Sequence, residues 1–155
     1  MELVIFIGLQ AAGKSTFYIQ QFRDTHIRIN LDMLKTRHRE KVLYHSCLKA
    51  KQSVVIDNTN PTIIERKRYI LPAKEHQFQV IGYYFPPDLE SCLKRNQTRE
   101  RVVPNVGIFA TYKNLQKPTY TEGFDKLYEV FLEEGLFRIK EQAAIESSRT
   151  NDRGL

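Results

Sequence analysis

Short unbroken apolar runs along the chain alternate with longer stretches in which apolar positions recur at helical spacing. Residues 3–7 (LVIFI) are uninterrupted and rich in β-branched side chains, the pattern of a central strand covered on both faces. After the segment GLQAAGKST, Phe17, Ile19 and Phe22 fit one side of a helix. Residues 27–30 (IRIN) predict a second short strand. From Met33 to Ala50 the positions Leu34, Val42, Leu43 and Cys47 keep a loose helical period between basic residues. Residues 53–57 (SVVID) predict a third strand ending in the turn Asn58-Thr59-Asn60-Pro61. Pro61 suits the first turn of a helix whose stripe is Ile63, Ile64, Tyr69, Ile70 and Ala73, with Pro72 weakening its end. Residues 78–85 predict a fourth strand, closed by Pro86 and Pro87, and Asp88 caps a helix through Leu89, Leu93 and Asn96. The polar, basic residues 97–107 predict a mobile connection, and 108–115 a helix. Beyond Pro118, residues 127–132 and 136–139 predict a closing strand pair around Glu133-Glu134-Gly135. Residues 147–155 predict a disordered tail, which leaves a single domain over 1–146.

Strands alternating with helices predict an α/β domain with a largely parallel sheet and right-handed crossovers. In such folds ligands collect outside the carboxyl ends of the strands. Gly8, Asn30, Asp57 and Pro86 all stand just past strand ends, so the pattern places them on one rim. The composition agrees: 155 residues, 41% hydrophobic and 27% charged, suit one globular domain. No apolar run nears the roughly 20 residues of a membrane span, and the N-terminus lacks the basic region of a signal peptide. Two cysteines, Cys47 and Cys92, form no CxxC pair, so a reducing compartment is expected: the cytoplasm, or the nucleus in a eukaryote. The four histidines form no HxxxH pair, and no zinc site is expected. The net charge of +6 is unevenly spread: residues 35–101 carry 14 Lys and Arg against 7 Asp and Glu. A basic middle attracts a polyanion, although a solvated helix face gives the same balance.

The sharpest motif runs from Gly8 to Ser15. Gly8-Leu9-Gln10-Ala11-Ala12-Gly13-Lys14-Ser15 matches G-x-x-x-x-G-K-[ST] in full, with an apolar strand before it and a helix after. Four residues between the glycines let backbone N–H groups, including those of Ala11 and Ala12, wrap a phosphate. The helix start aims its positive end at the same anion. Lys14 reaches the β and γ phosphates of ATP, the Ser15 hydroxyl can hold Mg²⁺, and Thr16 stands near the α phosphate.

Phosphoryl transfer to a hydroxyl needs a carboxylate beside the acceptor. Asp32, just past the second strand, stands on the correct rim, though it equally suits a helix N-cap. Asp57 ends the third strand, the place of an acid that serves the Mg²⁺ shell or the Ser15 hydroxyl. Arg95, Arg99 and Arg101 flank the connection at 97–107, where they can neutralise transferred charge or simply face solvent.

These residues resemble the kinase domain of the polynucleotide 5′-hydroxyl kinases, the kinase half of polynucleotide kinase-phosphatases. The likeness spans about Val4 to Phe137. It is carried by VVIDNTNP at 54–61, RYI at 68–70 with AK at 73–74, Arg95-Asn96 with Arg99, and EGF at 122–124. The resemblance implies a P-loop NTPase fold of the adenylate-kinase kind. It implies Asp32 as general base toward the 5′-hydroxyl, and Lys14 and Ser15 as ATP and Mg²⁺ ligands. It implies Asp57 and Thr59 at the acceptor, Arg68 on the acceptor phosphate, and Arg99 as the arginine over the transferred group. The family's arginine before the base is Leu31 here; Lys35, three residues after Asp32, is the expected substitute. The row Arg66-Lys67-Arg68 is expected to track phosphates. No D-x-D phosphatase motif occurs, so 3′-phosphatase activity is expected elsewhere.

The leading expectation is thus an ATP- and Mg²⁺-dependent kinase acting on the 5′-hydroxyl end of DNA or RNA. A small-molecule or nucleoside kinase, and a nucleotide-dependent nucleic-acid binder without catalysis, are the alternatives. The sequence leaves DNA against RNA, and the oligomeric state, open.

Overall fold

A computed structural model of the chain describes residues 1–144; the tail expected at 147–155 lies outside the described residues. Six strands form one sheet: β1 (Glu2–Ile7), β2 (Ile27–Ile29), β3 (Val54–Ile56), β4 (Gln79–Tyr84), β5 (Lys126–Glu133) and β6 (Leu136–Glu141), in the order β2-β3-β1-β4-β5-β6. All neighbours pair parallel except β5 and β6, the hairpin foreseen around Gly135. The helices are α1 (Lys14–Gln21), α2 (Leu31–Leu34), α3 (Arg37–Lys49), α4 (Ile63–Glu75), α5 (Leu89–Thr98) and α6 (Asn105–Asn114), with a single 3₁₀ turn at Tyr120–Glu122.

β1 shows why its sequence is continuously apolar. Leu3, Ile5 and Ile7 face a core shared with Tyr44, Cys47 and Leu48 of α3 and Tyr69, Ile70 and Ala73 of α4. Val4 and Phe6 face a second core with Phe17 and Tyr18 of α1 and Cys92 of α5. Alternate side chains of one strand thus bury on opposite faces, each complete burial stabilising by about 1.5–3 kcal/mol. β1 lies between β3 and β4, so the chain moves outward to β2 on one side and returns across it to β4. The crevice at this reversal is where open α/β sheets bind ligands, and the Gly8–Gly13 loop emerges there.

Three local expectations need correction. The helix expected over 33–50 is broken: α2 ends at Lys35, which takes a φ of 74°, and the Thr36 side chain caps α3 by accepting from the Arg39 N–H. In α4, Pro61 precedes the Thr62 cap, Ile63 and Ile64 are exposed, and the buried stripe is Arg66, Tyr69, Ile70 and Ala73. The connection after α5 is shorter than 97–107, because α6 already begins at Asn105, and the buried Asn96 amide donates to the Val103 carbonyl (2.6 Å) and accepts from its N–H (3.0 Å).

Candidate active site

The glycine loop is fitted to its surroundings. A Cβ at Gly8 would stand 2.8 Å from the Phe85 Cβ, so only glycine lets β1 close against the end of β4. Gly13 has a φ of 96°, and a Cβ there would press on Phe137 and Leu132. Ala11 holds a φ of 60°, and its carbonyl accepts from Arg95 Nε at 2.7 Å. Gln10 donates from its side chain to Thr111 Oγ1 at 3.0 Å. Both α5 and α6 are therefore fastened to the loop.

Lys14 is buried, and its ammonium donates to the carbonyls of Gly8 (2.9 Å) and Leu9. Burial pulls its pKa down to about 8, with the Asp57 carboxylate the largest opposing influence. Between about 8 and the ordinary 10.5 the unfolded chain binds the extra proton, so stability rises with pH across that window. Below about 8 the ammonium is charged in both states and the burial penalty is fully present. A triphosphate beside Nζ favours the charged form. At pH 8.5, ATP binding is therefore expected to take up a fraction of a proton, seen as a calorimetric heat that varies with buffer ionisation enthalpy. At pH 7 this buffer dependence fades, since Lys14 is already protonated.

Ser15 opens α1, and its hydroxyl donates to Asp57 Oδ2 at 3.0 Å. Arg28, on β2, closes a triangle: Nε donates to Asp57 Oδ2 (2.8 Å) and Nη2 to Ser15 Oγ (2.9 Å). A hydroxyl and a carboxylate at a phosphate-loop helix start are the hard oxygen donors that suit Mg²⁺, so the chemistry of the pair fits that ion. Among the described residues no cluster of three or more His, Cys, Asp or Glu suited to a metal occurs.

Asp32 lies at the second position of α2; the cap is Asn30, whose side chain accepts from the Met33 N–H (2.9 Å) and donates to the Asp57 carbonyl (2.6 Å). Freed from capping, the Asp32 carboxylate is 65% exposed and meets Arg101 at 3.4 Å. The Asn58-Thr59-Asn60 turn is bonded throughout. Asn58 accepts from the Leu31 N–H and donates to Glu40 Oε2, Thr59 accepts from the Gly8 N–H, and Asn60 donates to the Phe6 carbonyl. Glu40 is buried and also accepts from Arg37 Nη1 (3.0 Å) and the Tyr69 hydroxyl (2.7 Å). Burial first, then that bond to Glu40, pushes Tyr69 up to about 12, so it remains a donor.

One cleft of about 860 Å³ collects these groups: Ala11 to Thr16 of the loop, then Asp32, Asp57, Thr59, Arg99 and Arg101. Gly8 is buried behind it. Lys35 and Arg68 are exposed and are not among the lining residues, and Arg66 is wholly buried against Glu122. Arg66 is therefore not part of a phosphate-tracking surface. The same cleft is lined by Arg37 and Glu65, which the sequence does not single out, and by Tyr69, which the sequence places on the apolar stripe of α4. Arg37 was readable only as one of many basic residues in the middle of the chain. Arg28 gave no signal beyond its place on a predicted strand.

Comparison with known proteins bears on the family and the fold. A family model described as "AAA domain" matches residues 36–117, just over half of the chain, a span beginning beyond the glycine loop. A bifunctional polynucleotide phosphatase/kinase of Schizosaccharomyces pombe is 33% identical over 135 residues, covering 83% of this chain and 33% of its own length. An L-seryl-tRNA(Sec) kinase of Methanococcus maripaludis is 27% identical over 75% of this chain and 53% of its own. The chain thus spans about a third to a half of these relatives. A gluconokinase structure from Sinorhizobium meliloti 1021 superposes with a TM-score of 0.61 at 12% identity, over 84% of this chain and 82% of that one, which establishes the shared fold. The likeness to polynucleotide phosphatase/kinases read from the motifs is found again over most of the chain. With its glycine loop and its mostly parallel sheet, and with relatives named as kinases matching most of its length, the chain belongs to the AAA-domain family.

Proposed function

We propose that the chain transfers the γ-phosphate of ATP to the 5′-hydroxyl end of a nucleic acid, DNA or RNA. The observation that carries this reading is the position of Asp32: an exposed carboxylate lining the same cleft as Lys14 and Ser15, free of any capping duty. A hydroxyl seated between them gives its proton to Asp32 as its oxygen bonds to the γ-phosphorus, the bond from that phosphorus to the β–γ bridging oxygen breaks, and ADP leaves. The backbone of Ala11, Ala12 and Gly13, with Gly8 setting the bend, holds the donor phosphates. Lys14 and Thr16 contact them, and Arg99 offsets charge as it develops on the transferred group. Ser15 and Asp57 are the residues that would hold Mg²⁺, which would supply charge neutralisation to the bound phosphates. Thr59, with Asp57 beside it, borders the acceptor. Lys35 and Arg68, outside the cleft lining, have a part only in guiding the strand beyond its terminal nucleotide.

The polynucleotide relative supports the acceptor class, as does the basic middle of the chain. The deciding assay combines γ-labelled ATP and Mg²⁺ with matched DNA and RNA oligomers ending in a 5′-hydroxyl or a 5′-phosphate, and with a free nucleoside. Label is expected on the hydroxyl-ended strands and absent from the blocked ones. Label on the nucleoside alone would move the chain to the small-molecule kinases.

A further inference from the structure

Arg28 is a cation placed where a second cation is expected. It projects from β2, its guanidinium 5.9 Å from the centre of the Tyr18 ring, and it joins two partners that are not neighbours in sequence, Ser15 and Asp57. A guanidinium is permanently charged, donates only, and offers a divalent metal nothing. The Ser15 hydroxyl has one proton and two lone pairs. Its proton goes to Asp57 and one lone pair accepts from Arg28. A metal ion at this hydroxyl needs a lone pair and profits from the unspent negative charge of Asp57. Arg28 takes up part of the first and offsets the second.

The side chain can also leave. Asp57 is 2% exposed, whereas Arg28 is 28% exposed, so the guanidinium borders solvent into which it can turn. We propose that Arg28 is the resident counter-cation of the metal site. It keeps Ser15 and Asp57 in register without metal, it is displaced when the metal–nucleotide arrives, and it thereby sets the divalent-ion concentration the enzyme needs. This rests on the reading that Ser15 and Asp57 hold the ion. A merely structural ion pair between β2 and β3 would leave metal affinity unmoved.

The test measures Mn²⁺ binding to the full chain by the electron paramagnetic resonance of free Mn²⁺, with a non-hydrolysable ATP analogue present. Arg28→Met keeps the stem and removes the charge, and it is expected to bind Mn²⁺ about tenfold more tightly than the unaltered chain. The Mg²⁺ concentration that half-saturates turnover is expected to fall by a similar factor. Adding Ser15→Ala to Arg28→Met abolishes the gain, which locates it at this hydroxyl. Mn²⁺ affinity that is unchanged or weaker in Arg28→Met overturns the proposal. If that variant does not fold by circular dichroism, Arg28→Lys carries the test, because a lysine ammonium is too short to bridge both partners. A rise of about threefold then supports the proposal and no rise overturns it. Should the unaltered chain bind the nucleotide yet no Mn²⁺, the assignment of Ser15 and Asp57 as metal ligands fails first, and the role of Arg28 with it.

Discussion

Asp32→Asn is expected to lower phosphorylation of a 5′-hydroxyl oligonucleotide by about 10²–10⁴-fold, the range of a positioned general base. ATP affinity is expected to stay unchanged. The separation follows from where the carboxylate sits. The Asp32 carboxylate accepts no hydrogen bond from the glycine loop, and its ion pair with Arg101 is solvent-exposed on both sides, a class of contact worth about 0–1 kcal/mol. The α2 cap is Asn30, so the turn that carries Asp32 survives its substitution. Single-turnover kinetics with labelled ATP, beside nucleotide titration by calorimetry, separates the two quantities. A variant that keeps the turnover of the unaltered chain removes Asp32 from the chemistry.

The largest effect on stability is expected at Arg66. Its side chain is wholly buried, with Nε donating to Glu122 Oε1 at 2.7 Å, Nη2 to Oε2 at 3.1 Å, and Nη1 to the Asn60 carbonyl at 2.9 Å. Glu122 in turn accepts from the Thr119 N–H. Arg66→Met leaves a buried carboxylate without its counter-charge, a loss of about 3–5 kcal/mol, or about 10 °C in Tm for a chain of this length. Adding Glu122→Gln removes the stranded charge and is expected to recover a large part of the loss. Urea unfolding of the two variants, with the slope unchanged, checks this. Since Asn60 belongs to the turn that steadies the cleft, Arg66→Met is also expected to weaken activity below its melting point.

The strands and the phosphate loop were legible because their signals are local. An unbroken apolar run, a turn residue and a glycine spacing all sit within a few positions of one another. Asp32, Asp57 and the arginines after α5 were legible as places on a rim, since strand ends are readable and the rim follows from the fold class. What was hidden depends on partners far apart in sequence. Arg28 meets Asp57 across 29 positions, and Glu40 meets Tyr69 across 29 as well; no pattern on either segment announces such a meeting. Arg66 is an intermediate case. Charge alone put it on the surface with Lys67 and Arg68, yet it lies on the side of α4 marked by Tyr69, Ile70 and Ala73, and helical spacing outranks charge where a buried acid waits. The break at Lys35 was hidden because the Thr36 cap competes with a helix period that continues through it.

The bonds from Ala11 to Arg95 and from Gln10 to Thr111 fasten α5 and α6 to the same two neighbouring residues of the glycine loop. Any anion that reseats these two loop residues tugs on both helices at once, and with them on the arginines borne between.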